Sequence, residues 1–404
     1  MMDKNAHISL LRILTLSGFI FASQAHSSGL YLYEIATEDT GLAGAGQAAR
    51  AQDASTLMTN PAGMTRLPDN MITGGLQALY GDTPYHLDSD AGYQGKSPGN
   101  TIGWFPGASL FYHHRLTDDL SAGIGLYGNY GLGLDFGEWA GDRLIKKSTL
   151  VGMTLSPALA WKINPRLSWG FGVGINYGFL SLTRNVEGVD EKASDHDWAL
   201  NFRTGLLFDV TDKTRVGLNY TSKTEYHFSI DGKARFPQLP NVEYNLPLSA
   251  QINTPDQLML SLVHDFNQQW SVMGDLGWQN WSQYGENQIY VSGDAIQRDN
   301  RLKDTWHTAL GVQYRPDDRW RLNTGVAYDS SFYRNQNDTS MTMPSGQAWR
   351  FGVGAQYQVT QSSNVGAAFE YLKMDSSSVA NPLLKGTYHN PDIYFFSMNY
   401  NYTF

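Results

Sequence analysis

The sequence predicts an all-β fold, a transmembrane antiparallel β-barrel of about fourteen strands with an N-terminal plug in its lumen. Three observations predict it. The last ten residues, Phe395 to Phe404, place Phe396, Met398, Tyr400, Tyr402 and Phe404 on one face and Ser397, Asn399, Asn401 and Thr403 on the other. The same period-two alternation recurs along the chain, its apolar faces bounded by Trp, Tyr or Phe in the manner of aromatic girdles at two lipid interfaces. Short polar turns alternate with long connections, which a soluble β-sandwich has no reason to do.

Composition agrees. The chain has 404 residues, 41 Gly, 13% aromatic residues, no cysteine and a formal charge of −9. Its mean hydropathy is −0.37, but a barrel exposes only alternate residues to lipid, so a negative mean does not exclude one. The acidic balance excludes a nucleic-acid partner, because no basic stripe exists to neutralise phosphates. Without cysteine there are no disulfides and no thiol chemistry.

The N-terminus comes first in order. Lys4 and Arg12 precede an apolar run from Ile13 to Ala22, which is too short to span a bilayer as a helix, and small residues follow. Residues 1–27 therefore read as a secretory signal peptide, with cleavage after Ala25 or Ser27. Residues 28–69 lack strand periodicity and are rich in Gly, Ala and Thr. A barrel of this size encloses a lumen that leaks unless filled. Leu42, Leu57, Met58 and Met64 give the segment apolar anchors, so it reads as a plug rather than a disordered extension.

Residues 70–404 read as the barrel. Strands are predicted near 70–80, 103–114, 119–133, 148–162, 166–180, 197–210 and 214–229, then near 255–266, 269–281, 302–315, 319–330, 347–359, 364–374 and 391–404. Asn164-Pro165, Thr211-Asp212-Lys213, Asn267-Gln268-Gln269, Pro316-Asp317-Asp318 and Gln361-Ser362-Ser363 supply the short turns; 81–102, 230–254 and 282–301 are long connections. That pattern puts both termini in the periplasm and the long loops outside the cell. An apolar strand at a free sheet edge invites aggregation, whereas here it would be paired on both sides and solvated by hydrocarbon. Its terminal Phe, preceded by Tyr at two-residue steps, resembles the signal that bacterial barrels present to their assembly machinery. That machinery, together with outer-membrane lipid and lipopolysaccharide, is an expected partner of a monomeric barrel.

Two motifs carry the functional expectation. In Asn60-Pro61-Ala62, Pro61 fixes its own backbone while the Asn60 amide can bond an unpaired strand carbonyl or N–H. Such groups need a break in a ladder, and Gly inside a strand marks a bulge or a close approach, so Asn129-Tyr130-Gly131 in the third strand is the candidate break.

These motifs, with Thr40 to Gly46, Gly128 to Gly133, Trp278 to Tyr284, Asp304-Thr305-Trp306 and Gly325 to Asp329, resemble the FadL/TodX-type family of outer-membrane long-chain fatty acid and hydrocarbon transporters. The resemblance implies passive uptake of a hydrophobic small molecule, a fatty acid or a hydrocarbon. It implies an inward kink of the third strand that opens a side window, with the plug triplet against it. It also implies lumen-facing ligand contacts at Leu30, Arg184 and Arg298. In one place the sequence departs from the fatty-acid members: the connection 181–196 is short and charged, which puts their outer capture groove in doubt and leaves an aromatic hydrocarbon as the alternative substrate.

Rival classes fare worse. A barrel phospholipase or protease needs a nucleophile or acid beside its histidine, and neither His113-His114 nor Asp195-His196-Asp197 has a partner at recognisable spacing. The same histidines lack a third and fourth ligand in register for a metal. No catalytic residue, metal or cofactor is expected. A general porin would carry a constriction loop rather than an N-terminal plug.

Overall fold

A computed structural model describes residues 33–236, 239–286, 288–291, 294–297 and 302–404. The predicted signal peptide, Leu30 and Arg298 lie outside these residues. The barrel strands are β1 (Met71–Asp82), β2 (Gly103–Arg115), β3 (Leu120–Asp135), β4 (Lys147–Lys162), β5 (Leu167–Val186), β6 (Val189–Thr211) and β7 (Thr214–Thr221). The second half adds β8 (Gln257–Asp265), β9 (Trp270–Gln279), β10 (Thr305–Tyr314), β11 (Trp320–Asp329), β12 (Ala348–Thr360), β13 (Ser363–Met374) and β14 (Asp392–Thr403). Together they form a closed antiparallel barrel of fourteen strands, sealed where β1 pairs with β14 from Met71↔Thr403 to Asp82↔Asp392. Closure is what lipid demands, since an unpaired edge there has no water to satisfy it.

The predicted faces hold. On β14, Phe396, Met398, Tyr400 and Tyr402 are 43–64% exposed while Ser397, Asn399 and Asn401 are 2–7% exposed. Outward side chains face the space that hydrocarbon fills, and inward ones are mostly small or polar.

Two connections differ from expectation. The charged stretch 181–196 is not a loop but the upper part of β5 and β6, paired without a break up to Val186↔Val189. Its turn is Glu187-Gly188, both at positive φ (53° and 87°), and the Asn185 Oδ1 accepts the Gly188 N–H at 2.9 Å. Cross-strand charges that read as loop polarity are in fact ladder pairs, with Arg184 Nη2 2.8 Å from Glu191. Below them Lys146 reaches Asp190 at 2.8 Å, and that carboxylate holds the ammonium above its ordinary range. The long connection 230–254 is likewise paired: Glu225–Phe236 and Leu239–Asn253 form a hairpin, joined by Gln288–Val291 and Asp294–Gln297 into a four-stranded sheet above the barrel. Pro84–Leu87, Gly99–Asn100, Ser377–Val379 and Gly386–Tyr388 form a second small sheet at the same end.

Residues 33–67 lie inside the ring of strands as two short helices, α1 (Thr37–Leu42) and α2 (Thr56–Thr59), and a 3-10 turn (Pro61–Arg66). Wall glycines let this backbone approach. A Cβ on Gly325 would lie 1.9 Å from Leu42 O, on Gly217 1.9 Å from Ala48 O, and on Gly352 2.4 Å from Thr40 O. Wall side chains then satisfy the exposed amides of the segment: Asp275 accepts from Gly46 N at 2.9 Å and Gln47 N at 3.3 Å, and Ser261 Oγ accepts from Ala48 N at 2.9 Å.

Gly325→Val should displace the inner segment, because backbone stands where the new side chain must go. The expected outcome is a higher single-channel conductance with the heat-modifiable barrel intact. Thr324→Val, on the lipid face beside it, should change neither.

Candidate functional site

The third strand is where the wall departs from regular pairing. From Leu120↔Trp161 to Gly128↔Met153 the β3–β4 ladder is regular, and it then resumes at Tyr130↔Gly152, leaving Asn129 as one extra residue. A bulge of this kind reverses the facing of every later residue and sharpens the twist. Tyr127 and Tyr130 are accordingly both buried, although three positions separate them.

The other side of β3 shows the consequence. Its ladder with β2 runs only from Arg115↔Ser121 to Ser109↔Tyr127, whereas β2 continues to pair with β1 up to Gly81↔Gly103. Above Ser109 the two strands therefore part. They meet again where Asp135 N donates to Thr101 O at 2.7 Å. Ile102–Ala108 and Gly128–Leu134 thus frame an opening in the wall. Pro106 sits within this rim, and a residue without an N–H belongs at an edge, not in a ladder.

Behind the opening lies a buried cluster of polar side chains. Arg203 on β6 donates from Nη1 to the Tyr127 hydroxyl and from Nε to Thr221 Oγ1, both at 3.1 Å. Asn176 donates from Nδ2 to Asn201 Oδ1 at 3.2 Å and accepts from Thr154 Oγ1 at 2.6 Å. Asn129 reaches the same group, with Nδ2 3.5 Å from Asn176 Oδ1. Gln257 Nε2 donates to the Tyr130 hydroxyl at 3.4 Å. Toward the loop end the lining turns apolar, with Leu180, Phe228, Ile252, Trp281, Phe332 and Met343 in one buried cluster. A second cluster gathers Tyr85, Phe136, Trp139 and Tyr388, where burial pushes the Tyr85 hydroxyl well above its ordinary range.

The inner segment is locked to the wall by charge. Arg350 bonds Asp329 at 2.6 Å, Glu370 at 3.0 Å and Glu34 of the segment, while His307 Nδ1 lies 2.7 Å from Asp329. Tyr33 stacks on His307 at 4.4 Å, and Arg50 pairs with Asp39 within the segment. Arg321 holds Glu38.

The singled-out residues fall in different places. Of Asn129, Tyr130 and Gly131, Asn129 is the inserted residue, and pairing with β4 resumes at Tyr130 and Gly131. Asn60, Pro61 and Ala62 do not lie against this bulge. Asn60 Nδ2 donates to Leu206 O of β6 at 2.9 Å and to Ala48 O at 2.7 Å, and its Oδ1 accepts from Ala62 N at 3.1 Å. Gly205 and Gly170 are what let the triplet come so close: a Cβ there would lie 2.0 Å from Asn60 Oδ1 and 2.3 Å from Ala62 N. Leu57 and Met64 are the residues of the segment that meet β3, at Gly123. Arg184, expected to face the lumen beside the ligand, instead pairs with Glu191 near the tip of the β5–β6 arm. Twelve residues separate it from Gly172, the register partner of Arg203, roughly 40 Å along the strand. Arg203 was missed, and the alternation could have found it: Leu200, Phe202, Leu206 and Phe208 are exposed, so Arg203 must point inward. His113 is a buried strand residue bonded to Asp69 O, and Asp195 and Asp197 accept backbone N–H groups of Ser229 and His227, which holds the outer hairpin to β6.

The chain is similar to known proteins over nearly all of its length. Residues 18–404 match the family model described as outer membrane protein transport protein (OMPP1/FadL/TodX). The long-chain fatty acid transport protein of Escherichia coli K12 is 24% identical over 95% of this chain and 96% of its own. Outer membrane protein P1 of Haemophilus influenzae is 24% identical over 89% of each. Among solved structures, a FadL homologue of Pseudomonas aeruginosa superposes with a TM-score of 0.77 at 20% identity, covering 93% of this chain and 99% of that one. The Pseudomonas putida toluene transporter TodX gives 0.72 at 18%, with coverage of 93% and 99%.

Asn60→Ala should leave the Ala48 and Leu206 carbonyls without their side-chain donor and cost about 1–3 kcal/mol. At equal surface level of folded barrel, uptake of a hydrophobic substrate should fall; unchanged uptake would remove the triplet from the mechanism.

Proposed function

Because the chain belongs to the outer membrane transport protein family (OMPP1/FadL/TodX), we propose that it carries long-chain fatty acids passively across the outer membrane and releases them sideways through its wall. The observation that carries this reading is the interrupted β2–β3 ladder, which parts beside the buried polar cluster of Arg203 and Tyr127. Residues 33–67 act as the plug that keeps the lumen from leaking, and the short-turn end with both chain ends faces the periplasm. The family is one of transport proteins, and the chain is not an enzyme.

The physical motive is hydration. A fatty acid leaving along the axis would expose its tail to water at about 0.8 kcal/mol per methylene. Between β2 and β3 it passes from an apolar lumen into hydrocarbon without that loss. The charged end is held meanwhile by Arg203 and the surrounding hydroxyls and amides, which supply donors in an otherwise apolar cavity. A second reading, uptake of a neutral aromatic hydrocarbon, draws on the stacked rings of the upper cluster, Trp281 on Phe332 at 5.3 Å and Tyr226 on Phe228 at 5.8 Å.

Deleting Asn129 removes the extra residue and lets β3 resume one register on both sides. Uptake should then stop while the barrel remains heat-modifiable; persistent uptake would mean that the substrate leaves along the axis.

Arg203→Leu separates the two substrates. A charge-assisted bond lost to a carboxylate costs about 2 kcal/mol, roughly thirtyfold in affinity. Titration calorimetry should therefore show far weaker binding of the acid than of its uncharged analogue of equal length. Equal losses for both ligands would favour the hydrocarbon.

A further inference from the structure

The opening in the wall is crossed by one ring. Phe105 lies on β2 opposite Leu79 of β1, on the inward face it shares with the buried Ser109 and Phe111, while Trp104 and Leu110 on the other face are 66% and 53% exposed. Across the unpaired stretch, a Cβ on Gly131 of β3 would come 2.9 Å from Phe105 Cε1 and 3.3 Å from Cζ, and one on Gly133 3.6 Å from Cδ2. The ring therefore fills the space between the inner face of β2 and β3 where backbone pairing is missing.

The bulge explains why a glycine meets it. With Asn129 inserted, Tyr130 pairs with Gly152 and turns inward, which leaves Gly131 facing the ring. In unbroken register Asn129 would take the inward place and Tyr130 the outward one, so a large side chain would stand where Phe105 now lies. The rest of the rim is small or turned away. Gly107, Ala108 and Gly128 add little bulk, Ile102 packs on Gly81, and Leu132 and Leu134 join the apolar cluster of the loop end. A phenyl ring forms no hydrogen bond, so swinging it aside sacrifices only individually weak dispersion contacts.

We infer that Phe105 is the shutter of the wall opening and that its ring sets the cross-section of the apolar ligand released between β2 and β3. The inference rests on the lateral-release reading and deepens it: a slender acyl chain slips past the ring, and a ligand with a bulky ring must displace it. Phe105 thus selects among hydrophobic substrates by width, independently of the charge selection at Arg203.

The test uses the absence of native cysteine, so that an introduced thiol is labelled alone. Initial uptake rates of oleate and of a pyrene-bearing fatty acid are compared in cells carrying equal amounts of heat-modifiable barrel. Phe105→Ala and Phe105→Cys should raise the ratio of pyrene-acid to oleate uptake severalfold. Treating Phe105→Cys with benzyl methanethiosulfonate rebuilds an aromatic ring and should return the ratio to its original value, whereas the methyl reagent should not. Gly131→Leu should slow both substrates by wedging against the ring. An unchanged ratio in Phe105→Ala, or benzyl and methyl adducts that behave alike, overturns the shutter. The Asn129 deletion tells the two failures apart: if it stops uptake while the Phe105 variants leave the ratio unmoved, the shutter alone falls. If uptake survives that deletion, lateral release falls and takes the shutter with it.

Discussion

In hydrocarbon every backbone N–H and C=O has to find a partner within the protein, and the rest of this structure follows from how that requirement is met and where it is relaxed. Fourteen strands close on themselves, with β1 and β14 joined over twelve residue pairs, so the wall has no edge. Relaxing the rule anywhere at membrane depth is expensive, and β2 and β3 do so over a short, framed stretch. The devices that make this tolerable are local: one inserted residue at Asn129, glycines along β3, a proline on the rim of β2, and an aromatic ring laid across the gap. The proline removes a donor and the glycines remove bulk, while the inserted residue turns β3 and the ring fills the gap.

The lumen obeys the same accounting with different currency. A chain segment buried inside a barrel brings its own amides, and here they are met by side chains of the wall, Asp275 and Ser261 among them. Its Glu34 and Glu38 are met by Arg350 and Arg321, and Arg350 is itself held between Asp329 and Glu370 of the wall. Buried charges of this kind are a poor source of net stability but are costly to break singly, which suits a segment that has to sit in one place. Wall glycines complete the fit by removing the Cβ atoms that would hold the segment away.

Much of this was legible in the chain. Period two is a local property, so the strands and their lipid faces could be placed from residues such as Phe396 to Phe404, although the strand predicted over 214–229 ends at Thr221 and the one predicted over 197–210 begins at Val189. The irregular third strand was legible too, because glycines inside a strand mark a bulge or a close approach and they cluster around Asn129-Tyr130-Gly131. The β5–β6 arm was not: Arg184 and Glu191 look like loop residues until they face one another across a ladder. Charge by itself carries no information about pairing.

What the sequence determined by itself was therefore the class of fold, the faces of its strands and the place where the wall gives way, since all three are written in neighbouring residues. What only the tertiary structure decided were contacts between residues distant in sequence. Asn60 meets Leu206, 146 positions away, and not the third strand. Arg203 meets Tyr127 behind the opening, and Phe105 lies against Gly131 across it. Barrel closure and bulge geometry set which residues meet around the lumen, and no periodicity along one strand encodes that.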